Sequence, residues 1–305
     1  MSLSRQAKLN LLAISACLLW SSAFVSVKYA LLYLPPLVLA GLRFLLAALF
    51  QIPFCKTWKA PFQLIKSHFS TVLLVSLFHT VYLYGTFFIA LQWVRGAEAA
   101  IIIGAGPLAS ALMAHLLMPD DRLQPRTLTG ILLGLSGVAL ISLSSQPWHI
   151  DGLKEFAGLM LLLSGSFVSA LGNIIVARQK GGLHPIALNS AQMLIGGPIL
   201  LLIAAIFGTL SLPPLSLSFW GLLCWLAIIS AVGFGIWFHL LGQMKVSRLN
   251  LWKFIIPLSG AILSWLLIPS ESPTPLSLAG MLLILFGLFT GSRHLPLQAS
   301  KTKAY

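Results

Sequence analysis

When the sequence is shifted against itself by 150 residues, segments 107–137 and 257–287 fall into register. Thirteen of the 31 positions are identical, among them Pro107/Pro257, Pro119/Pro269 and Pro125/Pro275. Three coincident prolines do not arise from apolar composition alone. The chain therefore reads as a tandem duplication, which restricts it to folds built from two copies of one unit. Other matches agree. Gly85, Phe88, Leu91 and Arg95 pair with Gly235, Phe238, Leu241 and Lys245 at the same offset; Pro36 and Leu39 pair with Pro185 and Leu188 at 149. Phe24-Val25-Ser26 matches Phe167-Val168-Ser169 at 143.

Of the 305 residues, 58% are hydrophobic and only 8% charged, whereas a soluble domain carries about 25% charged residues. So few charges cannot cover a water-facing surface, and the chain is expected to be an integral membrane protein held in a lipid bilayer. The net charge of +13 then bears on topology, not on nucleic acid, because cytoplasmic loops collect Lys and Arg. Cys17, Cys55 and Cys224 are odd in number and lack metal-ligand spacing, so neither a disulfide framework nor a metal site is expected. The run Ile14-Ser15-Ala16-Cys17 resembles a lipoprotein cleavage box, but the apolar stretch continues past Cys17 to Leu32 and reads as an uncleaved first helix.

Ten stretches have the ~20 apolar residues that a spanning helix needs: 9–31, 36–54, 70–92, 97–118, 126–143, 157–177, 185–208, 219–241, 247–268 and 276–290. Placing the N-terminus inside puts 14 basic residues in inside segments, from Arg5 and Lys8 to Lys301 and Lys303. Only Arg95 and Lys154 fall outside, while Lys28, Arg43 and Lys253 fall within helices. Such a bias is a strong orientation signal and predicts cytoplasmic N- and C-termini. The expected fold is all-α, with ten transmembrane helices in two five-helix repeats, 1–147 and 148–305. An odd helix count inverts the second repeat relative to the first. Inverted repeats suit alternating access around a midplane site.

The plan resembles the drug/metabolite transporter superfamily, in its EamA-type branch of ten-helix bacterial carriers. Trp20 with Phe24, Pro36 with Arg43-Phe44, and the Pro-led helix followed by Pro-x-x-Leu-x-Gly carry the likeness. It departs from the family at Ser21-Ser22, where a Gly often follows the Trp, and at Ser164-Gly165-Ser166, where the sixth helix lacks a Trp. The resemblance implies a carrier, often an exporter, of amino acids or other small metabolites across the bacterial inner membrane.

Ionisable residues within the membrane are costly and are functional candidates. Arg43 lies about 10 Å below the outer surface and Lys253 about 9 Å above the inner one, taking 1.5 Å per residue from their helix starts. In a core ~30 Å thick they are too far apart to clamp one small solute, so each is expected to attract an anionic group such as a carboxylate from its own side. The alternatives are snorkelling for both, with carbonyl capping as a further option for Arg43. Asn250, Lys253, Pro257, Gly260 and Ser264 are spaced 3, 4, 3 and 4 and share one helical face, which suits a cavity or close packing. Pro107, after Gly104, and Pro257, before Gly260, mark hinges or static kinks near mid-membrane. His79, Tyr82 and Thr86 share a face of the third helix; His79 is either a proton-coupling group or a neutral core histidine. Ser166, Ser169 and Asn173 line a cavity or join helices, and Trp20 walls a cavity or packs the core. Gly130/Gly134 and Gly287/Gly291 are expected to form packing seams, within the chain or in a homodimer.

No His-Glu-x-x-His, phosphate-binding loop or soluble ATPase region is present, and no cofactor is expected. The expected function is secondary transport of a small molecule such as an amino acid or related carboxylate. A cationic-drug exporter, a nucleotide-sugar or sugar-phosphate carrier and, from another class, a membrane-embedded enzyme are the alternatives. The six acidic residues, Glu98, Asp120, Asp121, Asp151, Glu155 and Glu271, lie at helix ends or in loops, which disfavours the drug exporter and the enzyme.

Overall fold

In the computed structural model, residues 4–94, 96–145, 152–179, 182–211, 216–267 and 272–292 are described. Arg95, Asp151, Lys180, Glu271, Lys301 and Lys303 lie outside them, as do the side chains of Phe24, Lys28 and Ser264. The described residues form helices and no strand. The first repeat holds α1 (Arg5–Ala30), α2 (Pro36–Gln51), the short α3 (Ala60–Ser67), then α4 (Phe69–Ser76) and α5 (Leu83–Ala90). It continues through α6 (Gly96–Gly104), α7 (Gly106–Leu117) and α8 (Pro125–Ser145). The second holds α9 (Leu153–Arg178), α10 (Pro185–Ile206), α11 (Leu217–Leu241), α12 (Val246–Leu251), α13 (Ile255–Leu267) and α14 (Pro275–Ser292).

Eight described segments are long and apolar enough to cross a membrane. The other two expected spans fall on α1, which is 26 residues long with Arg5, Lys8 and Lys28 near its ends, and on the interrupted pair α12–α13. Helix starts follow local chemistry. Pro36, Pro125, Pro185 and Pro275 each open a helix, where the missing N–H costs nothing and φ is already helical. Glu98 and Glu155 lie in the first turns of α6 and α9, where the helix dipole favours a carboxylate.

Three interruptions shape the interior. Proline cannot donate to the carbonyl four residues back. For Pro107 that carbonyl belongs to Ile103, and the helix breaks at Ala105, between α6 and α7. For Pro257 it belongs to Lys253, and the chain passes through a 3-10 turn at Trp252–Phe254 before α13 runs unbroken through Gly260. Between α4 and α5 the chain forms a π-helical turn, Leu77–Tyr82, which carries no proline. Gly104 is packed, since a Cβ there would lie 2.8 Å from a Val138 methyl.

The two glycine seams meet each other. A Cβ on Gly130 would lie 2.7 Å from the Gly287 carbonyl and 2.8 Å from Gly291 Cα; one on Gly287 would lie 2.7 Å from the Gly130 carbonyl. Gly137 and Gly280 repeat the arrangement one step along the pair. Gly134 instead faces the Phe254 ring. The fifth and tenth expected spans, α8 and α14, thus pack backbone to backbone across the repeats. These glycine faces are taken up by contacts within one chain.

Hydrogen bonds define one end of the bundle. Arg5 donates to Gln243 (3.3 Å), Arg178 to the Leu117 carbonyl (2.7 Å) and Arg248 to the Ser292 carbonyl (2.9 Å). Asp121, buried in the α7–α8 connection, accepts from the Ser247 amide at 3.0 Å and from the Ser247 hydroxyl. Arg5, Arg122, Arg178, Lys245 and Arg248 gather here, so the end is basic.

Candidate functional site

The candidate residues converge on the space between α1, α2, α5, α9, α11 and the α12–α13 break. Lys253 sits on the 3-10 turn, with its Nζ 5.1 Å from the centroid of the Trp237 ring. Trp237 is itself fixed, because its Nε1 donates to Asn173 Oδ1 at 3.1 Å. Trp20 packs on Trp237 (5.1 Å between centroids) and on Phe234 (5.2 Å). The approach of Trp20 requires Gly233, where a Cβ would lie 2.7 Å from the indole nitrogen. Phe234 continues to Tyr84 at 6.5 Å.

At the other end of this aromatic row, Arg43 is 3% exposed. Its Nε donates to Ser230 Oγ at 2.6 Å, and its guanidinium lies 5.4 Å from the Phe44 centroid and 5.6 Å from that of Tyr84. Tyr84, Phe234, Trp20 and Trp237 therefore form one continuous wall between the two cations. Neither cation makes an ion pair among the described residues. Each is held against aromatic faces, an arrangement worth roughly 2 kcal/mol or more when desolvated. The positions read from sequence as separate are joined by this wall. Among the described residues Arg43 caps no carbonyl of its own repeat, and it bonds across the repeat boundary to Ser230.

His79 lies in the π-helical turn. Its ring packs on Phe238 (5.4 Å) and Phe234 (6.1 Å) and over the backbone of Gly172, where a Cβ would come within 2.7 Å of the ring. Neither ring nitrogen makes a hydrogen bond of good geometry. A π turn inserts an extra residue into the helix and is frequent at functional sites. The shared face of His79, Tyr82 and Thr86 holds, because all three meet α9. They lie against Gly172, Ser164 (3.0 Å from the Tyr82 hydroxyl) and Gly165 respectively. Tyr82 is partly exposed, and a Cβ added at Gly85 or Gly260 meets no atom within 4 Å. This stretch of α5 and α13 thus has open space beside it. Ser169 is buried in α9. Asn173 is also buried and joins α9 to Trp237 on α11, while its Nδ2 has no partner. Asn250 is fully buried; its Nδ2 bonds back to the Val246 carbonyl at 2.9 Å and its Oδ1 is unpartnered.

Sequence reasoning missed a buried polar chain beside His79. Thr80 donates to Gln192 (2.6 Å), Gln192 to Asn189 (3.0 Å), Asn189 to Gln51 (3.0 Å), and Gln51 to the Ala231 carbonyl (2.6 Å). Ser190 adds a bond to the Ala48 carbonyl at 3.0 Å. These bonds fasten α2, the π turn, α10 and α11 to one another. The only signal available was a set of isolated Gln, Asn and Thr residues in apolar runs.

A helical, multi-pass membrane protein with two cations set against one interior aromatic row suits the transport class. The comparisons identify which family. The EamA-like transporter family matches twice, at residues 7–143 and 156–292, and the chain belongs to that family. It is 30% identical over 291 residues to a probable amino-acid metabolite efflux pump of Salmonella typhimurium, covering 91% of this chain and 92% of that one. A protein of the same description from Escherichia coli is 28% identical, with 92% and 93% covered. The transporter YoaV of Bacillus subtilis is 24% identical, with 92% and 96% covered. A solved crystal structure superposes with a TM-score of 0.82 at 18% identity, covering 93% of this chain and 96% of the other, which speaks to the fold alone.

Proposed function

We propose that this protein is a ten-span secondary carrier of the bacterial inner membrane, with both termini cytoplasmic, that exports amino acids or related carboxylate-bearing metabolites by alternating access. The observation that carries the reading is the pair of cations, half-buried Lys253 and buried Arg43, at the two ends of one aromatic wall. Neither has an acidic partner among the described residues. A carboxylate is the complement such cations lack, and aromatic faces suit the apolar part of an amino acid. Asn173, Asn250 and His79 supply unpartnered polar atoms nearby, which a solute with an amino or carbonyl group satisfies. The relatives described as probable amino-acid metabolite efflux pumps support the same substrate class and direction. The breaks at Ala105 and at Trp252–Phe254 supply the bending points of the two inverted halves.

The test is exchange in proteoliposomes loaded with unlabelled amino acids and offered labelled neutral, acidic and basic ones in turn. The reading expects exchange with at least one group. Exchange of organic cations only, with no amino acid moved, would replace it with the drug-exporter alternative.

A further inference from the structure

A second pocket, of about 210 Å³, opens at the basic end of the bundle. It lies where the ends of α9 and α11 meet the start of α10. Its polar wall is Gln179, His239 and Gln243; Leu183, Leu188 and Phe238 form its apolar wall. Gln243 is held from both sides, by Arg5 (3.3 Å) and by His239, whose Nε2 lies 2.8 Å from the Gln243 amide nitrogen. No carboxylate lines the pocket among the described residues, and Arg178 and Lys245 stand on the same end. Phe238 lines this pocket and also packs on His79, at 5.4 Å between ring centroids.

We propose that this pocket is a second solute site, a cytoplasmic antechamber for the carried carboxylate. The carboxylate rests on the Arg5–Gln243–His239 row and its apolar part on Leu188 and Phe238. Rotation of the Phe238 ring joins the pocket to the compartment holding His79, Asn173 and Trp237. The inference rests on the carrier reading and on the basic end being cytoplasmic. Charge complementarity carries it, because an anion is drawn to a wall with Arg5 beside it and no acid opposite. The ring shared with His79 gives the site a route inward.

The test uses Leu183→Cys in a chain whose Cys17, Cys55 and Cys224 are replaced by alanine, in inside-out vesicles. A benzyl methanethiosulfonate plugs the pocket after folding is complete, and mass spectrometry confirms the modification. Uptake of labelled leucine, phenylalanine or glutamate is expected to fall at least tenfold on modification. The transported amino acid should slow modification at least threefold, and its amide should not. Leu188→Trp in the otherwise natural chain, with an unchanged melting temperature, should show the same loss of uptake. Full uptake by the modified protein, or equal protection by acid and amide, overturns the antechamber. Failure of the unmodified natural chain to move any amino acid overturns the carrier reading itself, so the two failures are distinct.

Discussion

The Lys253 ammonium stands 5.1 Å from the centre of the Trp237 ring, and Trp237 is held in place by Asn173 on α9 of the same repeat. A proline four residues after Lys253 removes the donor for its carbonyl, so the charge is presented from a break in the helix. This places a cation, an aromatic face and an amide in one corner of the compartment. A carboxylate arriving there meets a half-buried charge, where attraction is stronger than at an open surface.

Replacing Lys253 with methionine keeps the length of the side chain and removes its charge. Transport is expected to fall at least tenfold, the equivalent of roughly 1.4 kcal/mol, with the amount of folded protein unchanged or raised. Initial rates in proteoliposomes, normalised to protein, check this. Arg43→Met is expected to lower transport as well but also to lower the melting temperature, because Ser230 loses its donor.

Trp237→Phe keeps a smaller aromatic ring and removes the indole N–H. Asn173 then has neither its acceptor nor its donor engaged, at a cost of about 1–3 kcal/mol for a buried group left without a partner. Thermal unfolding in detergent should occur at a lower temperature than for the natural chain. An unchanged midpoint would mean that the bond at 3.1 Å contributes nothing to stability.

Gln51→Leu tests the buried polar chain. It leaves Asn189 Nδ2 and the Ala231 carbonyl short of a partner, although Asn189 retains a longer contact of 3.4 Å with that carbonyl. Destabilisation of about 1–3 kcal/mol is expected, with smaller losses for Thr80→Val at the end of the chain. A double variant should lose less than the sum of the two singles, as coupled neighbours do.

The glycines separate two kinds of position. Gly287→Leu forces a side chain into the Gly130 carbonyl and should prevent accumulation of folded protein, since backbone cannot yield as a side-chain tip does. Gly85→Ala and Gly260→Ala add a methyl group to open space and should melt at or above the natural temperature. Size-exclusion profiles and melting curves of the three variants decide the matter. Equal behaviour would mean that α8 and α14 do not pack as described.

Much of this was legible in the sequence for a physical reason. Repeated prolines and glycines mark backbone events, and backbone events survive duplication; Pro107, Pro257 and the Gly130 and Gly287 seams were readable for that reason. Lys253 and Arg43 stood out because charge within the membrane is rare. The contacts between elements were not readable. Gln51 and Asn189 are 138 residues apart, and nothing in either helix announces the other. The π turn at Leu77–Tyr82 leaves no sequence mark comparable to proline, so the contact of His79 with Gly172 is not legible, although a core position for that histidine is one of its two readings. Arg43 is legible as a charge, but its partner Ser230, 187 residues away in the other repeat, is not.

The central claim is that the compartment between Arg43 and Lys253 carries a carboxylate-bearing solute. The most direct measurement is uptake of labelled amino acids into inside-out vesicles containing the natural chain, beside vesicles containing Lys253→Met in equal amount. The account predicts accumulation of at least one amino acid by the natural chain and at least a tenfold lower rate with the variant. Equal rates for the two would contradict it.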